Sequence, residues 1–154
     1  MLPGIRQFDL SERTVLVTGG SKGLGKAMAE GFASAGARLF LVSRNLDEAT
    51  EAAKEIKDNH QVEAVGYEAD VTNEEAVAQM VAEALKRFGQ IDVLVNNAGI
   101  NRRGPIDELS FEDFKAVQDI NVNGVWLCSR AALKSMKEQG KGRIINMSSA
   151  LGLV

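Results

Sequence analysis

The glycine-rich stretch Thr18-Gly19-Gly20-Ser21-Lys22-Gly23-Leu24-Gly25 constrains the fold of this chain most tightly. It follows directly on the apolar run Thr14-Val15-Leu16-Val17, which reads as a strand buried on both faces. Beyond it, Leu24, Ala27, Met28, Gly31, Phe32 and Ala35 recur at the spacing of one helix face, and Gly36 is placed to end that helix. Strand, tight turn and helix N-terminus therefore come in immediate succession. Glycine is needed where a Cβ would block the turn or the close approach of a ligand. Unpaired N–H groups and the helix dipole make such a turn favourable for an anion. Four glycines in seven residues are more than a purely structural turn requires, so this turn is read as a cofactor phosphate site.

The same alternation continues along the chain. Arg38-Leu39-Phe40-Leu41-Val42 reads as a second buried strand, and Leu46, Ala49, Ala53 and Ile56 mark a second helix. Residues 62–67 alternate as a third strand. Thr72 and Glu75 have the spacing of a capping box ahead of a helix marked by Val77, Met80, Val81, Ala84, Leu85 and Phe88, with Gly89 at its end. Ile91-Asp92-Val93-Leu94-Val95 is a fourth strand. One helical region is expected after Ser110, through Phe114 and Val117 to Met136, and residues 142–147 form a fifth strand. Strands alternating with helices of this length build βαβ units, hence an α/β fold with a doubly wound parallel sheet and helices on both faces. A single domain over residues 1–154 is the simplest parse.

Composition narrows the partners. The net charge is −3 and the basic residues are scattered, so neither nucleic acid nor an anionic membrane is expected as a partner. No apolar run approaches membrane-spanning length, and Met1-Leu2-Pro3-Gly4-Ile5-Arg6-Gln7 lacks the apolar core of a signal peptide, so a cytoplasmic location is expected. The single cysteine, Cys128, cannot form an internal disulfide, and there is no Cys/His cluster for a metal. Cys128 lies in a helical pattern and reads as a buried, inert thiol. The single histidine, His60, lies in the polar stretch Asp58-Asn59-His60-Gln61 and reads as a loop residue.

The glycine spacing departs from the general G-x-G-x-x-G fingerprint. As Thr18-Gly-x-x-x-Gly-x-Gly, it resembles the short-chain dehydrogenase/reductase family. Four further stretches, in the family's order, carry the resemblance: Ala69-Asp70-Val71, Asn96-Asn97-Ala98-Gly99, Asn121-Val122-Asn123-Gly124 and Ile145-Asn146-Met147-Ser148-Ser149. It extends from Phe8-Asp9-Leu10 to Val154. The resemblance implies a Rossmann-type doubly wound sheet, cut after the fifth strand. It implies cofactor contacts at Gly19, Ser21, Lys22, Gly23, Leu24, Gly25, Arg44, Asp70, Val71, Asn97, Ala98 and Gly99, with Asp70 reaching the adenine amino group. Ser149 is implied as the catalytic serine that hydrogen-bonds the reacting oxygen, and Asn121 as the catalytic asparagine of a water-mediated proton relay. A homo-oligomer is implied for the complete protein, with the helix from about Asn123 to Met136 in its interface.

Val42-Ser43-Arg44 has no acid where NAD-binding sites usually place one for the ribose hydroxyls. Arg44 is suited to a 2′-phosphate and Lys22 would add a second positive charge, so NADP(H) is favoured over NAD(H). The competing reading makes both residues solvated helix-end charges.

The family's Tyr-x-x-x-Lys pair, whose tyrosine is the general acid/base, is not found. The only tyrosine is Tyr67, and Val71 stands four residues on. The reaction implied is hydride transfer between NADP(H) and a carbonyl or secondary alcohol, with a small-molecule substrate. The alternative is a non-catalytic dinucleotide-binding module. On either reading, residues 1–154 alone are expected to be inactive. They are also expected to be poorly soluble or partly unfolded, because the strand through Ile144-Ile145 presents an open edge. Asn97-Ala98-Gly99-Ile100-Asn101-Arg102-Arg103 resembles the gluconate 5-dehydrogenase type, with the two arginines suited to a carboxylate; the competing reading makes this stretch a solvated loop. A 3-oxoacyl-carrier-protein reductase is the competing substrate reading.

Overall fold

The five strands expected from the alternation are all present, and all are parallel. In the computed structural model, which describes residues 4–149, they are β1 (Thr14–Thr18), β2 (Arg38–Ser43), β3 (Ala64–Glu68), β4 (Val93–Asn96) and β5 (Arg143–Asn146). Residues 1–3 and 150–154, with the expectations about the leader segment and about Val154, lie outside the described residues. The sheet order is β3-β2-β1-β4-β5, so successive connections move outward from β1 first to one side and then to the other.

Alternate residues of the central strands serve two different cores. Val15, Val17, Leu39 and Leu41 face one layer with Ala29 and Ala33 of α1 (Gly23–Ser34) and Ala52, Ala53 and Ile56 of α2 (Leu46–His60). Leu16, Phe40, Val42 and Leu94 face the other, with Val77, Met80 and Ala84 of α3 (Glu74–Phe88) and Cys128, Ala132 and Met136 of α5 (Val125–Glu138). The strand period of two and the helical period of 3.6 thus meet in both layers. This explains why β1 is a continuous apolar run: helices cover it on both sides and every one of its residues is buried. Truncating a fully buried side chain such as Phe40 would cost about 3–5 kcal/mol.

Several boundaries differ from expectation for local reasons. Thr72 does not cap α3. Its N–H and hydroxyl both donate to Asp70 Oδ1, at 2.9 and 2.8 Å, and Asn73 is the cap, accepting from Ala76 N–H at 2.9 Å. His60 is not a loop residue but the last residue of α2. Gln61 closes that helix in the left-handed conformation (φ 56°), with its N–H on Lys57 O. The region after Ser110 is not one helix. α4 (Phe111–Gln118), capped by Ser110, passes into a π-helical stretch, Asp119–Gly124, before α5 begins. Gly124 sits at that junction because a Cβ there would lie 2.9 Å from Val71 Cγ2. Glycine lets α5 close on the segment after β3. β5 is the outer strand with mostly exposed residues, the open edge expected at Ile144-Ile145.

Candidate functional site

The order of the sheet reverses at β1, and a cleft of about 660 Å³ opens at the carboxyl ends of the strands there. Such switch points are where open α/β sheets bind ligands. Its floor is the turn between β1 and α1. Gly19 takes φ 64°, and a Cβ on Gly25 would lie 2.1 Å from Gly19 O and 2.5 Å from Asn97 Nδ2, so the turn closes only with glycine there. The segment after β4 is stitched to this turn. Thr18 Oγ1 donates to Val95 O (3.2 Å) and accepts from the N–H groups of Asn97 (3.0 Å) and Ala98 (3.1 Å). Asn97 Nδ2 donates to Thr18 O and Gly19 O, both at 3.0 Å.

The helix that leaves this turn differs from its neighbours. Asn45, Asn73 and Ser110 cap α2, α3 and α4 through their side chains, whereas Lys22, at the cap position of α1, makes no such bond. The N–H groups of Gly23, Leu24 and Gly25 have no intrahelical acceptor. They are available to an anion at the positive end of the helix dipole.

Gly19, Ser21, Lys22, Leu24, Gly25, Arg44, Asp70, Val71, Asn97, Ala98 and Gly99 all line the cleft. Of the expected cofactor contacts only Gly23 is not in its wall; it stands behind, opening α1 with φ 55°. Asp70 uses Oδ1 to hold the Thr72 turn. Arg44, between β2 and α2, has no acidic partner among the described residues. Lys22 does have one. Its Nζ lies 3.3 Å from Oε1 and 3.2 Å from Oε2 of Glu48, and Ser21 Oγ donates to Glu48 Oε2 at 3.3 Å. The second free positive charge expected from Lys22 is thus already engaged.

Glu48 is the charged wall residue that the sequence reading missed. A signal was present: an acid three residues after the capping Asn45 falls in the first turn of α2, the end of that helix nearest the cleft. Nothing in the spacing tied it to Lys22.

Asn121 and Ser149 do not line the cleft. Asn121 projects from the π-helical stretch and spends both ends of its amide on Ile100. Nδ2 donates to Ile100 O and Oδ1 accepts from Ile100 N–H, each at 2.9 Å. Its side chain fixes the segment after β4, whose Gly99 and Ile100 line the cleft. Ser149 is exposed just beyond β5. Asn96 Nδ2 donates to Asn146 Oδ1 (2.8 Å) and Ser129 Oγ (3.0 Å), so the ends of β4 and β5 are locked together three residues before Ser149.

The two arginines expected as a carboxylate clamp are engaged elsewhere. Arg102 pairs with Asp113, and Arg103 Nε donates to Asn101 Oδ1 at 3.2 Å. The Arg102 guanidinium, aided by Ser110, holds the Asp113 carboxyl below its ordinary range. Cys128 is buried, and burial pushes its thiol up to about 12, which leaves it inert as a nucleophile. Tyr67 stacks on Phe40 with ring centroids 5.3 Å apart, a core position away from the cleft. Among the described residues no helix is long and apolar enough to cross a membrane.

Residues 13–154 match the family described as short chain dehydrogenase. The chain belongs to the short-chain dehydrogenase/reductase family. It is 38% identical over 144 residues to an uncharacterized oxidoreductase of Staphylococcus saprophyticus, covering 94% of this chain and 62% of that protein. It is 39% identical over 145 residues to a 3-oxoacyl-[acyl-carrier-protein] reductase of Synechocystis, covering 94% and 59%. A short-chain type dehydrogenase/reductase from Mycobacterium marinum superposes with a TM-score of 0.93 at 36% identity, covering 97% of this chain and 59% of that one. The chain therefore spans about three fifths of the length of these relatives. Family members are oxidoreductases that bind NAD(P). The uncapped start of α1 and the glycine-only turn against Asn97 fit the pyrophosphate of such a cofactor.

Proposed function

We propose that this chain is the cofactor-binding domain, over residues 1–154, of an NADP(H)-dependent oxidoreductase that interconverts a carbonyl and a secondary alcohol. The observation that carries the reading is the cleft at the switch point, with an uncapped helix N-terminus on its floor and Arg44, without an acidic partner, in its wall. Gly19, Ser21, Leu24 and Gly25 would hold the pyrophosphate, Asp70 and Val71 the adenine, and Arg44 the 2′-phosphate. Asn97, Ala98 and Gly99 would border the nicotinamide end. When bound, the cofactor supplies or accepts the hydride.

In this reading the chain's own residues position and polarise. Asn121 keeps the Gly99–Ile100 wall in place through its amide, which makes it a positioning residue. Ser149 hydrogen-bonds the reacting oxygen. The proton on that oxygen needs a Tyr-x-x-x-Lys pair, which residues 1–154 do not contain, so these residues by themselves bind without turning over. The apolar residues that α4 and α5 expose, Phe111, Phe114, Trp126 and Leu133, support a homo-oligomer of the complete protein.

For the substrate, the gluconate-type reading requires Arg102 to leave Asp113 and Arg103 to leave Asn101. The relative from Synechocystis, by its name a 3-oxoacyl-[acyl-carrier-protein] reductase, supports a 3-oxoacyl thioester as the second reading.

Calorimetric titration with NADPH and NADH tests the cofactor. NADPH is expected to bind at least about tenfold more tightly, the size of one charge-assisted phosphate contact. Equal affinities, or tighter NADH, would overturn the preference. Turnover of the complete protein on keto-sugar acids and on 3-oxoacyl thioesters then separates the substrates. Activity on neither class would reject both.

A further inference from the structure

We propose that Glu48 is a specificity-determining residue that weakens the site's hold on a 2′-phosphate. It does so by occupying Lys22 and by placing a negative charge in the wall that the phosphate would approach. The inference rests on the NADP(H) reading above and adds a residue that opposes it.

The position of Glu48 is built in. Asn45 Oδ1 accepts the Glu48 N–H at 3.2 Å, which fixes the first turn of α2 and directs this side chain toward the β1–α1 turn. Both carboxylate oxygens then meet groups from that turn. Lys22 Nζ lies within 3.3 Å of each, and Ser21 Oγ donates to Oε2. Lys22, Arg44 and Glu48 all line the same cleft, and among the described residues Lys22 and Arg44 are its only cationic wall residues. Arg44 is uncommitted. Lys22 is committed to Glu48.

From Lys22, Arg44 and Glu48 a 2′-phosphate therefore meets a summed charge of +1, against the +2 of the two cations alone. It can recruit Lys22 only by separating it from Glu48. The Lys22–Glu48 pair is solvent-exposed on the lysine side (79%) and partly so on the glutamate side (40%), and such pairs are weak enough to exchange partners. The carboxylate that Lys22 leaves behind remains in the wall beside the dianion. Ligands that end in a plain ribose carry no charge at that point and feel neither effect. The consequence is a site whose preference for the phosphorylated cofactor is held below what Arg44 and Lys22 together would deliver.

The test compares 5′-AMP with 2′,5′-ADP, two probes that differ only in the 2′-phosphate, by calorimetry on the full chain. Wild type, Glu48→Gln and Glu48→Ala are each measured at low and high salt. In both variants the ratio of the 5′-AMP Kd to the 2′,5′-ADP Kd is expected to rise about fivefold at low salt and by less at high salt, as for a partly exposed charge. The glutamine variant keeps the side chain's size and hydrogen-bonding oxygen, and the alanine variant shows whether removing the charge is sufficient. A ratio that stays constant or falls in both overturns the inference. So does weaker binding of 5′-AMP in both with no gain for 2′,5′-ADP, because Glu48 would then be a ribose acceptor. If wild type binds 5′-AMP at least as tightly as 2′,5′-ADP, the NADP(H) reading fails, and the role of Glu48 is still decided by the change in ratio between wild type and variants.

Discussion

The two ends of the sheet treat their polar groups in opposite ways. At the amino end, Asp92 is buried just before β4 and is surrounded by donors: Thr14 N–H at 2.9 Å, Gln90 Nε2 at 2.8 Å, Arg13 Nη1 at 2.9 Å and Lys141 Nζ at 3.5 Å. Its main chain adds a bond to Thr14 O and accepts one from Arg143 N–H, so this residue joins the starts of β1, β4 and β5. At the carboxyl end, the first turn of α1 has no side-chain cap and Arg44 has no acidic partner among the described residues. The amino end spends Asp92 and its donors on holding the strands together, although the buried Thr14 Oγ1 and Arg38 Nε there have no hydrogen-bond partner. The other leaves donors and charge unspent beside a cleft, which is the signature of a surface built for a ligand.

The largest effect should come from breaking the open end. In Gly25→Ala the new Cβ cannot be accommodated beside Gly19 O and Asn97 Nδ2 without moving the turn. NADPH affinity is expected to fall by at least about 100-fold, the scale of a misplaced phosphate cradle, while circular dichroism still shows the folded α/β spectrum. Retained affinity would mean that the turn is not the cofactor floor.

Breaking the amino end should have the converse result. Asp92→Ala is expected to lower stability by about 2–3 kcal/mol in urea denaturation, since it strips a buried acceptor from four donors. Cofactor affinity of the folded protein should stay within about twofold, inside the spread expected of distant, uncoupled sites. The same residue sets a pH dependence. Burial pushes the Asp92 carboxyl up, but the Thr14 N–H, Arg13 and Lys141 outweigh it and hold the carboxyl below its ordinary 3.8. Its stabilisation is therefore complete above that value and is lost as pH falls from there through the lower folded value. Asp92→Asn should flatten the stability curve in that acid window. An unchanged slope would assign acid unfolding to other carboxylates.

Arg44→Ala sharpens the contrast from the ligand side. NADPH is expected to bind about tenfold more weakly and NADH equally well, with stability changed by less than about 0.5 kcal/mol, because the side chain is exposed and has no acidic partner. Equal losses for both cofactors would place Arg44 outside the 2′-phosphate site. The smallest effect concerns a boundary next to the cleft. Asn73→Ala should cost about 1 kcal/mol by removing the α3 cap, and more than Thr72→Ala, whose hydroxyl serves the Asp70 turn instead. The reverse order would restore Thr72 as the cap.

These two ends were not equally legible in the sequence. The parallel sheet and both core layers could be read because strand and helix periods depend only on local spacing, as in Val15-Leu16-Val17 and in Val77, Met80, Val81 and Ala84. The cleft could be read wherever its residues lie in the turns that follow strands, as at Gly19, Arg44, Asp70 and Asn97. What escaped depended on which partner a side chain chose in space. Thr72 turned back to Asp70, Arg102 went to Asp113, and Glu48 met Lys22 across a gap of 26 residues. The π-helical break escaped as well, because Asn121 reaches Ile100 from it and no periodicity announces that contact. Asp92 was legible only as a member of a strand, though it fastens three of them.

The Asn121–Ile100 contact has a consequence for which side chains that position can take. A primary amide offers an NH2 group and a carbonyl acceptor, and one of its two N–H donors together with that carbonyl matches the pair that a peptide group presents to a neighbouring strand. Against Ile100, Asn121 thus acts as a fragment of backbone borrowed from a helix: it mimics a strand partner where the sheet has already ended. An aspartate would lose the donor, a serine the reach, and a glutamine would overshoot by one methylene. Asparagine is demanded there by the shape of the peptide it imitates, before any question of chemistry arises.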